Sequence, residues 1–110
     1  PLACAASVAV FETIQSEGLL ENAANMGKYA CDRLSHFAQE LPCIREVRGI
    51  GLMIGIELTI PATETVQKGM EAGLLLNCTH DNVIRFMPPL NVEKEHIDKG
   101  LSILKGVLNK

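Results

Sequence analysis

Residues 44–60, Ile44-Arg45-Glu46-Val47-Arg48-Gly49-Ile50-Gly51-Leu52-Met53-Ile54-Gly55-Ile56-Glu57-Leu58-Thr59-Ile60, decide the fold. From position 50 onward every even residue is a large aliphatic: Ile50, Leu52, Ile54, Ile56, Leu58 and Ile60. The odd positions are Gly51, Met53, Gly55, Glu57 and Thr59. Side chains of a strand alternate between its two faces, so this period of two predicts a strand with one face on the core and the other small or polar. Glycines 51 and 55 on the second face leave room for something to pack closely against it. Residues 44–48 form a shorter strand ahead of it, with Gly49-Ile50-Gly51 as the turn.

Outward from this strand the period changes. Upstream, residues 19–41 place Leu20, Ala23, Ala24, Gly27, Cys31, Leu34, Ala38 and Leu41 at steps of three and four. This predicts an amphipathic helix ended by Pro42. Residues 1–17 predict a first helix with Pro1 at its start and Gly18 as a left-handed stop. Its first half is apolar nearly all round, more than one small domain can cover, so a partner surface is expected. Downstream, residues 61–72 predict a short helix with Val66 and Met70 inward and Gly73 at its C-terminal cap. Residues 74–77 and 83–87 predict two short strands around a polar loop at 78–82, and Pro88-Pro89 ends the second. The last helix spans 93–108, with Ile97, Leu101, Leu104 and Leu108 as its stripe and Glu93 and Glu95 in the first turn, where the helix dipole favours them. The order ααββαββα with short connections predicts an α/β (α+β) fold: a small, mainly antiparallel sheet of about four strands with helices packed on one face. Residues 1–110 then form one domain.

Composition narrows the function. Of 110 residues, 47% are hydrophobic and 21% charged, which excludes a disordered chain. No apolar run approaches the ~18 residues of a membrane span. The longest, 2–11, is interrupted by Ser7 and lacks the preceding Lys or Arg of a signal peptide. A formal charge of −3 with 4% aromatics and no Trp argues against a nucleic-acid-binding face. Cys4, Cys31, Cys43 and Cys78 form no C-x-x-C pair, so a structural zinc site has no local support. A core of this size needs no disulfides, and the four are read as thiols in a cytosolic setting. Asn77-Cys78-Thr79 matches a glycosylation pattern by chance, given no secretory signal. A chain opening at Pro1, with no initiator Met, reads as a piece of something longer.

Few residues offer chemistry. Gly49, Gly51 and Gly55 miss the dinucleotide-binding spacing by one place and open a strand, so a phosphate would find no helix N-terminus; they are turn and packing glycines. His36, His80 and His96 are scattered, and two ligands within Cys78-Thr79-His80-Asp81 fall short of a metal site. Lysines 28, 68, 94, 99, 105 and 110 lie on polar helix faces or at the chain end, with none in an apolar pocket that would lower its pKa for covalent catalysis. Arg85 differs, because it is the one charge in the apolar run Val83-Ile84-Arg85-Phe86-Met87. A guanidinium there either reaches water from an exposed face or binds an anion, since an unpaired buried charge is costly.

Several segments together resemble a known family. These are Pro1-Leu2-Ala3-Cys4-Ala5-Ala6, Gly18-Leu19-Leu20-Glu21-Asn22, Val47-Arg48-Gly49-Ile50-Gly51-Leu52-Met53-Ile54-Gly55-Ile56-Glu57-Leu58, Asn82-Val83-Ile84-Arg85-Phe86-Met87-Pro88-Pro89-Leu90 and Glu93-Lys94-Glu95-His96-Ile97-Asp98. The chain is similar throughout to the C-terminal small domain of class III pyridoxal-phosphate-dependent aminotransferases, nearest the acetylornithine and ornithine enzymes. The resemblance implies a short sheet with helices on one side, packed on a large cofactor domain within a homodimer, with residues 1–18 as an interdomain helix. It implies that Arg85 binds a substrate carboxylate, and that the amino acceptor is 2-oxoglutarate. The Schiff-base lysine and the groups that hold pyridoxal 5'-phosphate belong to the large domain, so this chain carries no catalytic residue of its own and is expected to be inactive alone. A cytoplasmic enzyme of arginine biosynthesis is the implied setting. The other reading is a free-standing, non-catalytic α/β module that binds a small molecule or regulates.

Overall fold

Gly51, at φ +52°, turns the long alternating run back on itself. A positive φ at the first of two central residues is what a tight hairpin turn needs, and Ile50 pairs with Met53 across Gly51-Leu52. In this computed structural model, which describes residues 1–109, the elements run α1 (Leu2–Ser16), α2 (Leu19–Glu40), β1 (Ile44–Ile50), β2 (Met53–Leu58), α3 (Thr63–Glu71), β3 (Asn77–Thr79), β4 (Val83–Phe86) and α4 (Lys94–Leu108). The strands form one antiparallel sheet in the order β1-β2-β4-β3. The expected order ααββαββα and the mixed α/β class are those observed.

Local chemistry sets most boundaries. Gly18, at φ +62°, separates α1 from α2. Leu41 is extended because the following proline disfavours helical backbone before it. Gly73, at φ +85°, closes α3: its N–H donates to the Met70 carbonyl and the Leu74 N–H to the Gly69 carbonyl, the paired bonds of a Schellman cap.

One face of the sheet is the core. Ile44, Ile54, Ile56, Leu58, Ile84 and Phe86 are buried there against α2 and α4, which contribute Ala30, Leu34, Phe37, Ile97, Leu101 and Leu104. Asn22 ties the start of α2 to the segment before α4 by donating from Nδ2 to the carbonyls of Leu90 (2.7 Å) and Val92 (3.1 Å). The Tyr29 hydroxyl donates to Asp98 at 2.6 Å, linking α2 to α4.

Several local expectations are corrected. The buried stripe of α2 is Gly27, Ala30, Leu34 and Phe37, while Leu20 and Ala24 are exposed. The helix is rotated so that the Phe37 ring reaches the core. Ile50 is 85% exposed because the turn at Gly51-Leu52 interrupts the alternation and leaves it on the opposite face, beside Met53. On α3 the buried positions are Thr65 and Gly69, and Met70 is 58% exposed. The small face of that helix is turned inward, so that a Cβ on Gly69 would already crowd Leu76 and the Leu74 carbonyl. Finally, β3 is Asn77–Thr79 rather than 74–77, and the loop shrinks to 80–82, where His80 and Asp81 take left-handed φ. Pro88 has no N–H to extend the ladder, and Leu74 and Leu76 pack against the core instead of pairing.

Candidate functional site

The face of the sheet away from the helices carries the polar groups, and strand register decides which of them meet. Arg48 on β1, Gly55 on β2, Arg85 on β4 and Asn77 on β3 lie in one row across the four strands. Glu46, Glu57, Val83 and Thr79 form the next row. A bulge in β1 between Ile44 and Glu46 lets Arg45 as well as Arg48 reach Glu57. The distances are 3.1 Å from Arg45 and 2.8 Å from Arg48, which also pairs with Glu46 at 2.9 Å. The hydrogen bond from Arg48, with the charge of Arg45 adding to it, holds the Glu57 carboxyl below the usual carboxylate range.

Arg85 stands apart from this network. It is exposed, and among the described residues no carboxylate lies within 4 Å of it. Its strand neighbours Ile84 and Phe86 are buried on the core side, so the guanidinium projects from a backbone held by the sheet. A planar guanidinium without a partner accepts a carboxylate through two parallel hydrogen bonds. Beyond it the surface turns apolar, with Ile50, Met53, Met87 and Leu90 exposed around the hairpin tip. A separate groove of about 520 Å³ runs beside Pro88, between Leu74, Phe86, Val92 and His96; Arg85 does not line it.

The other candidates stay dispersed. His80 and Asp81 form the β3–β4 turn, with the Thr79 hydroxyl 3.2 Å from His80 Nδ1. Among the described residues no three His, Cys, Asp or Glu side chains come together to hold a metal. All four cysteines are free thiols, and burial raises the pKa of Cys31. The Arg45–Glu57–Arg48–Glu46 network was not legible in the sequence, because a bulge and a cross-strand register build it.

A family model described as "Aminotransferase class-III" matches residues 1–108. This chain belongs to the class-III aminotransferase family. The acetylornithine aminotransferase of Methanocaldococcus jannaschii is 44% identical over 110 residues, which are all of this chain and 28% of that protein. In three dimensions this class-III chain superposes on the acetylornithine aminotransferase of Elizabethkingia anophelis with a TM-score of 0.93 at 30% identity, covering 99% of this chain and 30% of the other. It superposes on the ornithine aminotransferase of Toxoplasma gondii with a TM-score of 0.91 at 30% identity, covering 98% and 26%. That structure has pyridoxal phosphate at partial occupancy in its active site. The chain therefore spans a little over a quarter of the length of the relatives it matches.

A lysine that forms a Schiff base with pyridoxal phosphate has its amine activated by desolvation or a neighbouring cation. Lys28, Lys94 and Lys99 are exposed. Lys68 is paired with Glu64, and Lys105 with Glu40. The ammonium of Lys94 lies 4.7 Å from the centre of the Tyr29 ring. None is in the dry surroundings that make an amine nucleophilic. No helix in the described residues is long and apolar enough to cross a membrane.

Proposed function

We propose that residues 1–110 are the C-terminal small domain of a pyridoxal-phosphate-dependent transaminase, with residues 1–18 as the helix that joins it to a large cofactor domain. The substrate is acetylornithine or a related ω-amino acid, with 2-oxoglutarate as amino acceptor. The enzyme works as a cytoplasmic homodimer, and the 110-residue chain is inactive by itself. The names of the relatives and the quarter-length coverage support this reading.

The observation that carries it is Arg85, which has no carboxylate partner among the described residues and stands on a strand paired on both sides. Its N–H groups donate to the two oxygens of a substrate carboxylate, fixing the amino acid at one end while its amine points to the chemistry in the large domain. The cofactor, when bound there, supplies the electron sink for amino-group transfer. This domain's contribution is positioning, which acts by holding reacting groups in a productive geometry.

Replacing the guanidinium by an ammonium tests the role, because lysine keeps the charge and loses the fork. In the full-length enzyme, Arg85→Lys lowers kcat/KM for a carboxylate-bearing amino acid by on the order of 10–1000-fold, or roughly 1.4–4 kcal/mol. An amine substrate without the carboxylate is affected little. Equal losses on both substrates would show that Arg85 is structural.

A further inference from the structure

Most glycines outside α4 have reasons visible in the fold of this chain, and Gly55 in the sheet does not. Gly18, Gly51 and Gly73 take left-handed φ. A Cβ on Gly27 would collide with the Gly51 carbonyl, and one on Gly49 would meet the Met53 carbonyl at 2.6 Å. Gly55 has neither excuse. Its φ is not left-handed, and a Cβ there would meet Val83 Cγ1 at 3.6 Å, the Arg48 carbonyl at 3.8 Å and Arg48 Cγ at 4.0 Å, all ordinary van der Waals contacts. It lies in the middle of β2, paired on both sides, where glycine weakens a strand and a side chain would pack on its neighbours. Within this chain the backbone and the space at position 55 leave room for a Cβ.

The register supplies the missing reason. Gly55 is directly opposite Arg85 on one side and Arg48 on the other. Directly opposed Cβ positions on one face are about 5 Å apart, so the strip left bare by Gly55 adjoins the base of the Arg85 side chain. Arg45 and Arg48 are already neutralised by Glu46 and Glu57. Three guanidiniums thus face two carboxylates, and of the two that flank Gly55 only Arg85 has no carboxylate within 4 Å among the described residues. An anion of carboxylate size is the complementary occupant.

We propose that Gly55 is a specificity-determining position, where the carboxylate-bearing end of the amino-acid substrate comes down onto the sheet beside Arg85. The inference rests on the carboxylate role of Arg85 and goes beyond it by naming the floor of the site. A methyl group at 55 lifts the substrate from the guanidinium, and an isopropyl group closes the approach.

The test uses the full-length enzyme with Gly55→Ala and Gly55→Val, with Arg85→Lys alongside. Gly55→Ala should raise KM for the carboxylate-bearing amino acid about tenfold, with kcat changed less, and Gly55→Val should raise it further. The melting temperature of Gly55→Ala should be unchanged or higher. For the amine substrate without a carboxylate, KM should stay within about twofold. An unchanged KM in both variants overturns the proposal. So does a rise of the same size for the amine, which would assign Gly55 to packing between domains, or a rise accompanied by a lower melting temperature. If Arg85→Lys discriminates between the two substrates and the Gly55 variants do not, only the proposal for Gly55 fails. If Arg85→Lys does not discriminate, the carboxylate reading itself has failed.

Discussion

A Cβ on Gly27 would run into the Gly51 carbonyl, because α2 crosses the tip of the β1–β2 hairpin backbone to backbone. Nothing flexible lies there to give way. Gly27→Ala is therefore expected to destabilise the protein by about 1–3 kcal/mol, the usual cost of overpacking a tight contact. Gly55→Ala, which meets only ordinary contacts, should be neutral or gain about 0.5–1 kcal/mol from a less flexible strand. Urea unfolding midpoints of the two variants make the comparison. Equal stability would mean that the hairpin tip can shift away from α2. The sequence places both glycines within periodic segments and cannot tell them apart, because what crowds Gly27 is the backbone 24 residues further along the chain.

At the scale of elements, side-chain hydrogen bonds that converge on Glu57 tie the two strands of the β1–β2 hairpin across their polar face. Glu57 lies between Arg45 and Arg48, and its pKa is lowered chiefly by the hydrogen bond from Arg48. A carboxyl with a lowered folded-state pKa stabilises the fold at a pH above its ordinary value of 4.5, and the contribution is lost as pH falls through the lowered value. Glu57→Gln should therefore melt below the parent at pH 7, and the two melting temperatures should converge as the pH falls below 4.5 and through the lowered value. A gap that stays constant across this range would remove Glu57 from the pH response. The existence and type of these elements were legible from periodicity and from Gly18, Pro42 and Gly73. The rotations of α2 and α3 were not, because Phe37, Thr65 and Gly69 face inward only when a particular neighbour is present to receive them.

The whole molecule is elongated, measuring 48 × 25 × 22 Å, and its radius of gyration of 15.4 Å exceeds the roughly 13 Å of a compact chain of this length. The excess is α1, which has no buried residue and leaves Leu2, Val8, Val10 and Phe11 exposed. Contiguous apolar surface of this kind marks an interaction site. The 110-residue chain on its own should therefore self-associate, seen as a scattering mass that falls on dilution. A monomer at every concentration, with no dye-detectable apolar surface, would count against α1 as an interdomain helix. By itself the sequence determined what depends on near neighbours: the period of each segment, the caps that end it, the apolar excess of α1 and the lone charge of the Val83–Phe86 strand. Tertiary structure alone decided the company that charge keeps. Arg85 lies across from Gly55, and Glu57 lies across from Val83. A register two residues different would set Glu57 opposite Arg85 and invite an ion pair with it. The choice between those registers comes from fitting Ile54, Ile56, Ile84 and Phe86 against α2 and α4, and local propensity carries no record of packing between segments so far apart in the chain.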